Sequence, residues 1–225
     1  MNITIASPNG QARSIRISKE MEEHFNVGIN HAHTILKQIN SGMYDRFFKG
    51  KKDLVCFDFG ANVGLVSLYM APACKELHCI EPTPSHFYLL GDWDNGAKLY
   101  NMALTKQSGD FDFFTSGSST ENRITERGAH EGEGTKIKVK GEPLSYFLSQ
   151  TDSIVDFVKI DIEGGEMSAL ITEELKAAYG KVKMFYVEVH PWQAMDMNRE
   201  ELLNRFKKAG YNTEVLNHET IIAFQ

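Results

Sequence analysis

Cysteine is scarce in this chain and never paired: Cys56, Cys74 and Cys79 are the only three in 225 residues, with no Cys-x-x-Cys spacing. A disulfide framework is therefore excluded, and Cys56 and Cys79, set inside apolar runs, read as buried reduced thiols. Positive charge is not in surplus either. Thirty acids face 24 Lys plus Arg, a formal net charge of −6, and no sustained basic face or basic–aromatic interleaving occurs. That balance disfavours a nucleic-acid partner, and the cluster Lys49-Gly50-Lys51-Lys52 reads as a solvated loop. No apolar run reaches membrane-spanning length, and the first seven residues carry neither a charged n-region nor an apolar h-region. The expectation is a soluble cytoplasmic protein with no membrane partner. Gly-x-Gly-x-x-Gly is also missing, which argues against a nucleotide-dependent oxidoreductase.

What the chain does contain is an apolar run from Leu54 to Phe59 that meets an acid and then glycines spaced for a tight turn, Asp58-Phe59-Gly60-Ala61-Asn62-Val63-Gly64. The run has strand length and strand composition, and Leu65, Val66, Leu68 and Tyr69 open an apolar helix behind it, so the order is strand, turn, helix. Ligands of open α/β sheets bind beyond the carboxyl ends of the strands. Gly60 and Gly64 are expected to let a ligand approach the backbone, and the helix N-terminus to offer free N–H groups. A second run, Glu76 to Ile80, leads into Glu81-Pro82, and Glu81 lies 17 residues beyond Gly64. An acid at that distance on the adjacent strand tip is placed to accept hydrogen bonds from a ribose diol. A third strand-like run ends in acids and glycines again, Val158-Lys159-Ile160-Asp161-Ile162-Glu163-Gly164-Gly165-Glu166.

Asp-x-Gly-x-Asn-x-Gly resembles the first motif of class I S-adenosylmethionine-dependent methyltransferases. With Ile80-Glu81-Pro82 and the Val158 to Glu166 segment, in this order and at these separations, the chain resembles the FkbM-type methyltransferase family over about residues 53 to 190. The resemblance implies S-adenosyl-L-methionine as cofactor, with the loop of Asp58, Gly60, Asn62 and Gly64 at its methionine part and Glu81 at its ribose. Met102 and Ala103 occupy the place where this fold family lines the adenine. Many such proteins act on hydroxyls of sugars or of secondary metabolites, so a small-molecule or glycan acceptor is implied. A cofactor-binding interaction subunit without activity is the non-enzymatic alternative. Acceptor identity and oligomeric state, a homo-oligomer included, stay open.

The length suits one α/β domain with a full core. Residues 1–52 read as a hairpin about the Ser7-Pro8-Asn9-Gly10 turn followed by a helix through Ile29, Ala32, Ile35, Leu36 and Ile39, capping the cleft. From 53 to 225 strands and helices alternate, which calls for a class I, Rossmann-like, mostly parallel seven-stranded sheet with helices on both faces and an antiparallel C-terminal hairpin. Strands are expected near 54–59, 76–81, 98–103, 155–161, 182–189, 211–216 and 220–224. Helices are expected near 64–71, 84–93, 143–150, 165–179 and 199–209. Residues 106–140 break the alternation with a stretch rich in Gly, Ser, Thr and charged residues around Phe111-Asp112-Phe113-Phe114. They read as an acceptor-binding insertion with a hairpin at 111–114 and 135–139.

Methyl transfer to oxygen needs the acceptor held in place and one proton removed. Of the histidines, His190 stands out because Phe185-Tyr186-Val187-Glu188-Val189-His190-Pro191 is a strand ending at a proline. Alternation puts Glu188 and His190 on one face, beside Asp161 on the neighbouring strand tip. Two roles fit. In one, His190 is the base, Glu188 orients it or the acceptor, and Asp161 positions the acceptor hydroxyl or the cofactor amino group, with no metal. In the other, Asp161, Glu163 and His190 bind a divalent cation that acidifies the acceptor. Lys159, inside a buried strand, is expected to pair with an acid, and Trp192 to stack on a ring-shaped acceptor or to plug the core.

Overall fold

A computed structural model describes residues 2–8, 13–16, 19, 29–91, 96–116, 123–124, 134–190 and 195–225. The N-terminal segment forms a hairpin, β1 (Asn2–Ile5) paired antiparallel with β2 (Arg13–Arg16), then α1 (Ile29–Asn40) and the short α2 (Asp45–Phe48). Asn9 and Gly10 of the expected turn lie outside the described residues. The apolar runs then become β3 (Leu54–Phe59), β4 (Cys74–Ile80) and β5 (Lys98–Tyr100), with α3 (Leu65–Met70) and α4 (Pro84–Leu90) between them. A second, four-stranded sheet holds β6 (Ala103–Leu104), β7 (Gly109–Ser116), β8 (Arg123–Ile124) and β9 (Gly134–Glu142). Its centre is the antiparallel pair β7–β9, with Phe113 opposite Ile137. Most of the residues between Ser116 and Gly134 lie outside the described set.

After α5 (Leu144–Leu148) come β10 (Phe157–Ile160), α6 (Glu166–Ala169), α7 (Thr172–Ala178), β11 (Met184–Glu188), α8 (Met195–Lys208), β12 (Asn212–Val215) and β13 (Thr220–Phe224). The main sheet runs β12-β13-β11-β10-β3-β4-β5. Its inner pairs are parallel, and β13 enters antiparallel to both β11 and β12. This is the doubly wound sheet with a closing hairpin that the alternation calls for.

Period-two alternation divides each central strand between two cores. Val55, Phe57 and Phe59 join Phe147, Phe185 and Phe206 on one face. Cys56 and Phe157 join Tyr44, Phe47, Phe48 and Tyr186 on the other, where the Phe48 and Phe157 rings stand 4.8 Å apart. The polar exceptions share that second face: Asp58 and Lys159 are register partners on β3 and β10. Among the described residues no helix is long and apolar enough to cross a membrane.

Three expectations change. The strand foreseen at 98–103 stops at Tyr100, and Ala103–Leu104 pairs instead with Gly141 and Glu142 of β9. The helix foreseen at 165–179 is two helices, because Leu170 and Ile171 leave helical geometry and the Arg205 guanidinium takes the carbonyls of Met167 (2.6 Å) and Leu170 (3.3 Å). Gly60, foreseen as clearance for a ligand, is required by the chain itself. It has φ +76°, and a Cβ there would sit 1.8 Å from the Asp161 carbonyl oxygen.

That collision is with backbone and cannot be relieved by a side-chain rotation. Gly60→Ala should therefore destabilise by about 2–5 kcal/mol, adding left-handed strain to overpacking. Gly50→Ala, also at positive φ but with nothing within 4 Å, should cost only about 1–2 kcal/mol. Urea unfolding of both variants checks the contrast, and equal losses would show that the Asp161 approach does not constrain residue 60.

Candidate active site

The C-terminal tips of β3, β4, β10 and β11 border a cavity of about 240 Å³. At its β4 side, Glu81 is buried and held at both oxygens: Asn62 N–H donates to Oε2 (2.9 Å) and Thr83 N–H to Oε1 (2.8 Å). His86 Nδ1 lies 3.7 Å from Oε1. Asn62 reaches this position at φ +52°, with its own Oδ1 accepting from Val63 N–H at 2.7 Å. The turn is anchored from below, since Gly60 N–H and Ala61 N–H both donate to the Ile80 carbonyl. Each carboxylate oxygen keeps lone-pair capacity beyond the backbone bond it accepts.

The opposite side is dense in charge. Lys159, 3% exposed, lies 3.0 Å from Asp161 Oδ2 and 3.6 Å from Asp58 Oδ1, and Ser67 Oγ donates to the other Asp58 oxygen at 2.6 Å. Burial would lower the Lys159 ammonium, but the charges of Asp161, Asp58 and Glu188 hold it well above its ordinary value. His190 Nδ1 donates to Glu166 Oε1 at 3.1 Å, and its Nε2 is 3.4 Å from Glu163 Oε2 and 3.7 Å from Asp161 Oδ1. Burial alone would lower this imidazole; the bond to Glu166 and the charges of Glu166, Asp161 and Glu163 overcome it and push the ring up to about 10. Burial and the Asp161 charge push Glu188 up to about 7 against Lys159 and His190. Glu163 is pushed up to about 8, by burial first and then by Asp161.

These surroundings raise His190 and Glu188 together. A raised imidazole favours donating over accepting near neutrality, and the Glu188 carboxyl, pushed up to about 7, titrates nearer neutrality than a free one. Asp161, Glu163 and His190 offer ligand atoms all within 4.8 Å of one another, enough to surround a divalent cation. His190 Nε2 stands within 4 Å of one oxygen of each of the two carboxylates.

Of the foreseen residues, Gly60, Asn62, Glu81, Ala103, Asp161, Glu188 and His190 line the cavity. Three do not. Asp58 lies beneath it, fully buried on Ser67 and Lys159. Gly64 caps α3 at φ 86°. Met102 is half-buried and packs against the core cluster of Phe57, Phe59 and Phe147. Asn101 braces the end of β4, its Nδ2 donating to the carbonyls of Glu81 (2.9 Å) and Pro82 (3.1 Å). Trp192 lies outside the described residues. Among the cavity residues that escaped the sequence reading are His86, which looks like an ordinary helix position, and Tyr44, buried against Tyr186 with ring centroids 5.4 Å apart.

The titration directions share one sign. Glu188 rises from 4.5 to about 7, Glu163 from 4.5 to about 8 and His190 from 6.5 to about 10, so each binds its proton more tightly folded than unfolded. His190 stabilises fully below pH 6.5 and loses that contribution as pH rises through 10; the two carboxyls penalise the fold as pH rises above 4.5. Thermal stability should fall as pH rises from about 5 to 9, and Glu188→Gln should flatten the part of that fall between about 4.5 and 7. A calorimetric Tm series on both proteins reads this directly; superimposable pH slopes would contradict the Glu188 shift.

Comparison with solved structures returns distant likenesses. A precorrin-6y C5,15-methyltransferase from Geobacter metallireducens is 13% identical, with TM-score 0.47, 80% of this chain and 84% of that one covered. A magnesium protoporphyrin IX methyltransferase from Synechocystis with bound SAM is 10% identical, TM-score 0.44, covering 93% and 84%. A fibrillarin from Aeropyrum pernix with natively bound S-adenosyl-L-methionine is 8% identical, TM-score 0.46, covering 77% and 66%. No curated protein matches the chain. The family model of the methyltransferase FkbM domain matches residues 58–213, from the acid of the first glycine motif to β12. With that span matched over a mostly parallel seven-stranded sheet, the chain belongs to the FkbM methyltransferase family, and S-adenosylmethionine is its cofactor.

Proposed function

We propose that this methyltransferase acts on a hydroxyl oxygen of a sugar or small secondary metabolite, with Glu188 as proton acceptor and no metal ion. The observation that carries the reading is the Glu188 carboxylate, facing the cavity and pushed up to about 7 beside a His190 ring that its carboxylate neighbours also push up. S-adenosylmethionine supplies the methyl group as an electrophile. Gly60, Asn62 and Glu81 hold it, with Glu81 on the ribose and Ala103 against the adenine. Glu188 takes the hydroxyl proton, Asp161 positions the hydroxyl or the cofactor amino group, and the His190 cation donates toward the acceptor.

Charge around the cavity narrows the acceptor. Lys159 and His190 are its cationic side chains among the described residues, apart from His86, and both are already engaged by carboxylates of the chain. An anionic group next to the reacting oxygen would meet Asp161, Glu163, Glu188 and Glu219 with no cation left to match it. A neutral polyol can hydrogen-bond to the same acids. The N-terminal segment brings Ile35, Gln38 and Tyr44 to the rim and the second sheet brings Phe113, which supports a capping role for residues 1–52 and an acceptor-binding role for 106–140.

Two measurements test this. Glu81→Ala should weaken S-adenosylmethionine binding about ten- to a hundredfold by calorimetry, the loss expected of a charge-assisted contact; unchanged affinity in a folded variant would remove Glu81 from the ribose. With methyl-labelled cofactor, neutral glycosides should become O-methylated and their phosphates should not. Glu188→Gln should lower that turnover about 10²–10⁴-fold, and a chelator should leave the wild type active. Activity lost to chelator and restored by magnesium would assign Asp161, Glu163 and His190 to a cation, and label appearing on nitrogen or carbon would overturn the hydroxyl assignment.

A further inference from the structure

Glu166 does not line the cavity, yet two of the groups that do depend on it. It opens α6 and is 1% exposed. A single oxygen, Oε1, accepts from Ile162 N–H (3.1 Å), Gly164 N–H (3.3 Å) and His190 Nδ1 (3.1 Å). The first two bonds close the turn that displays Asp161 and Glu163, with Glu163 at φ +53° and Gly164 at φ +96°. The third fixes the imidazole from behind, leaving Nε2 toward the carboxylates at 3.4 and 3.7 Å. One atom thus joins the end of β10 to the end of β11.

A neutral side chain could satisfy the two backbone donors as well. A buried carboxylate is the costlier choice, the more so because its second oxygen, Oε2, is buried with no hydrogen-bond partner among the described residues. The charge is therefore spent on His190. We infer that Glu166 is a positioning residue of the reaction centre, which holds His190 as an oriented imidazolium and locks the Asp161–Glu163 turn against it. The inference rests on the proposed reading of the cavity as the site of methyl transfer.

The groups facing the ring are Asp161 and Glu163 from the β10 turn, Glu166 from α6 and Glu188 from its own strand, with Lys159 ion-paired to Asp161. Against Glu166→Gln those others stay in place, so the effect of this one charge is separable. Imidazole nitrogen NMR on the whole chain at pH 8 should show both His190 ring nitrogens protonated in the wild type and a largely neutral ring in Glu166→Gln. Glu166→Asp keeps the charge but shortens the reach, so its ring should stay protonated while the Ile162 and Gly164 amides exchange at least tenfold faster. Both variants should bind S-adenosylmethionine as the wild type does. Against a working acceptor kcat should fall about 10²-fold, as expected for a misplaced reacting group.

A Glu166→Gln ring as charged as the wild type's would overturn the inference, as would a Glu166→Asp protein with wild-type exchange at both amides. Should Glu166→Gln fail to fold, the Glu166→Asp exchange and its kcat decide alone. None of the NMR readouts needs an acceptor. Methylation found on nitrogen would thus end the hydroxyl proposal and leave Glu166 standing, while an unchanged ring would end the role of Glu166 and leave the hydroxyl proposal intact.

Discussion

An ammonium group buried to 3% exposure has to be met by negative charge close at hand, and around Lys159 that need organises the C-terminal edge of the sheet. Its two partners come from neighbouring strands: Asp58 on β3, directly across the ladder, and Asp161 just past the end of β10. Removing either would leave an uncompensated charge in the interior, so the two strand tips are tied together beneath the cavity. The same contact fixes one oxygen of Asp161 at 3.0 Å from the amine. Burial raises the Glu188 and Glu163 carboxyls and the Asp161 charge adds to that rise, while the same charge helps to raise His190. The raised titration of the site thus draws on an ion pair at the edge of the sheet as well as on burial.

Much of this arrangement is written locally. The runs Leu54 to Phe59 and Phe185 to Glu188 show strand composition, and the alternation within them puts Asp58 and Glu188 on defined faces before any partner is known. Glu81 was legible because its place depends only on the short stretch from the glycine turn to the next strand tip. The failures all come from contacts distant in sequence. Gly60 owes its missing side chain to the carbonyl of Asp161, and no window around residue 60 contains that atom. The helix break at Leu170 and Ile171 depends on Arg205, 35 residues on from Leu170. The early end of β5 depends on β9, which pairs with Ala103 and Leu104 in another sheet.

His190 illustrates a subtler limit. Its position at the strand end could be read from the sequence, and the structure puts it at the cavity. Its protonation could not be read, because that depends on three carboxylates, placed by a turn with Glu163 and Gly164 both at positive φ and by the helix that follows it. A histidine's free pKa is a weak guide once opposite charges stand within 4 Å. The acid-base assignment belongs to the whole cluster, and within it Glu188 and His190 are driven to opposite roles by the same field.

On the proposed chemistry, this excess of carboxylates has a kinetic meaning. A cationic methyl donor is drawn to a cavity bordered by Asp161, Glu163, Glu188 and Glu219, and its charge opposes the rise that burial and the Asp161 charge impose on Glu188 and Glu163. Glu188 then ionises more readily with the donor in place than without it, since a positive charge nearby favours the carboxylate. The base is thereby generated chiefly when there is a methyl group to transfer. When the proton has reached Glu188 and the methyl has left the donor, both charges are gone. A buried, weakly screened site favours such mutual neutralisation more than water does. His190 does not take part in this cancellation, because its charge is already matched by Glu166, and that is why a protonated ring can stand beside the base without competing for the proton.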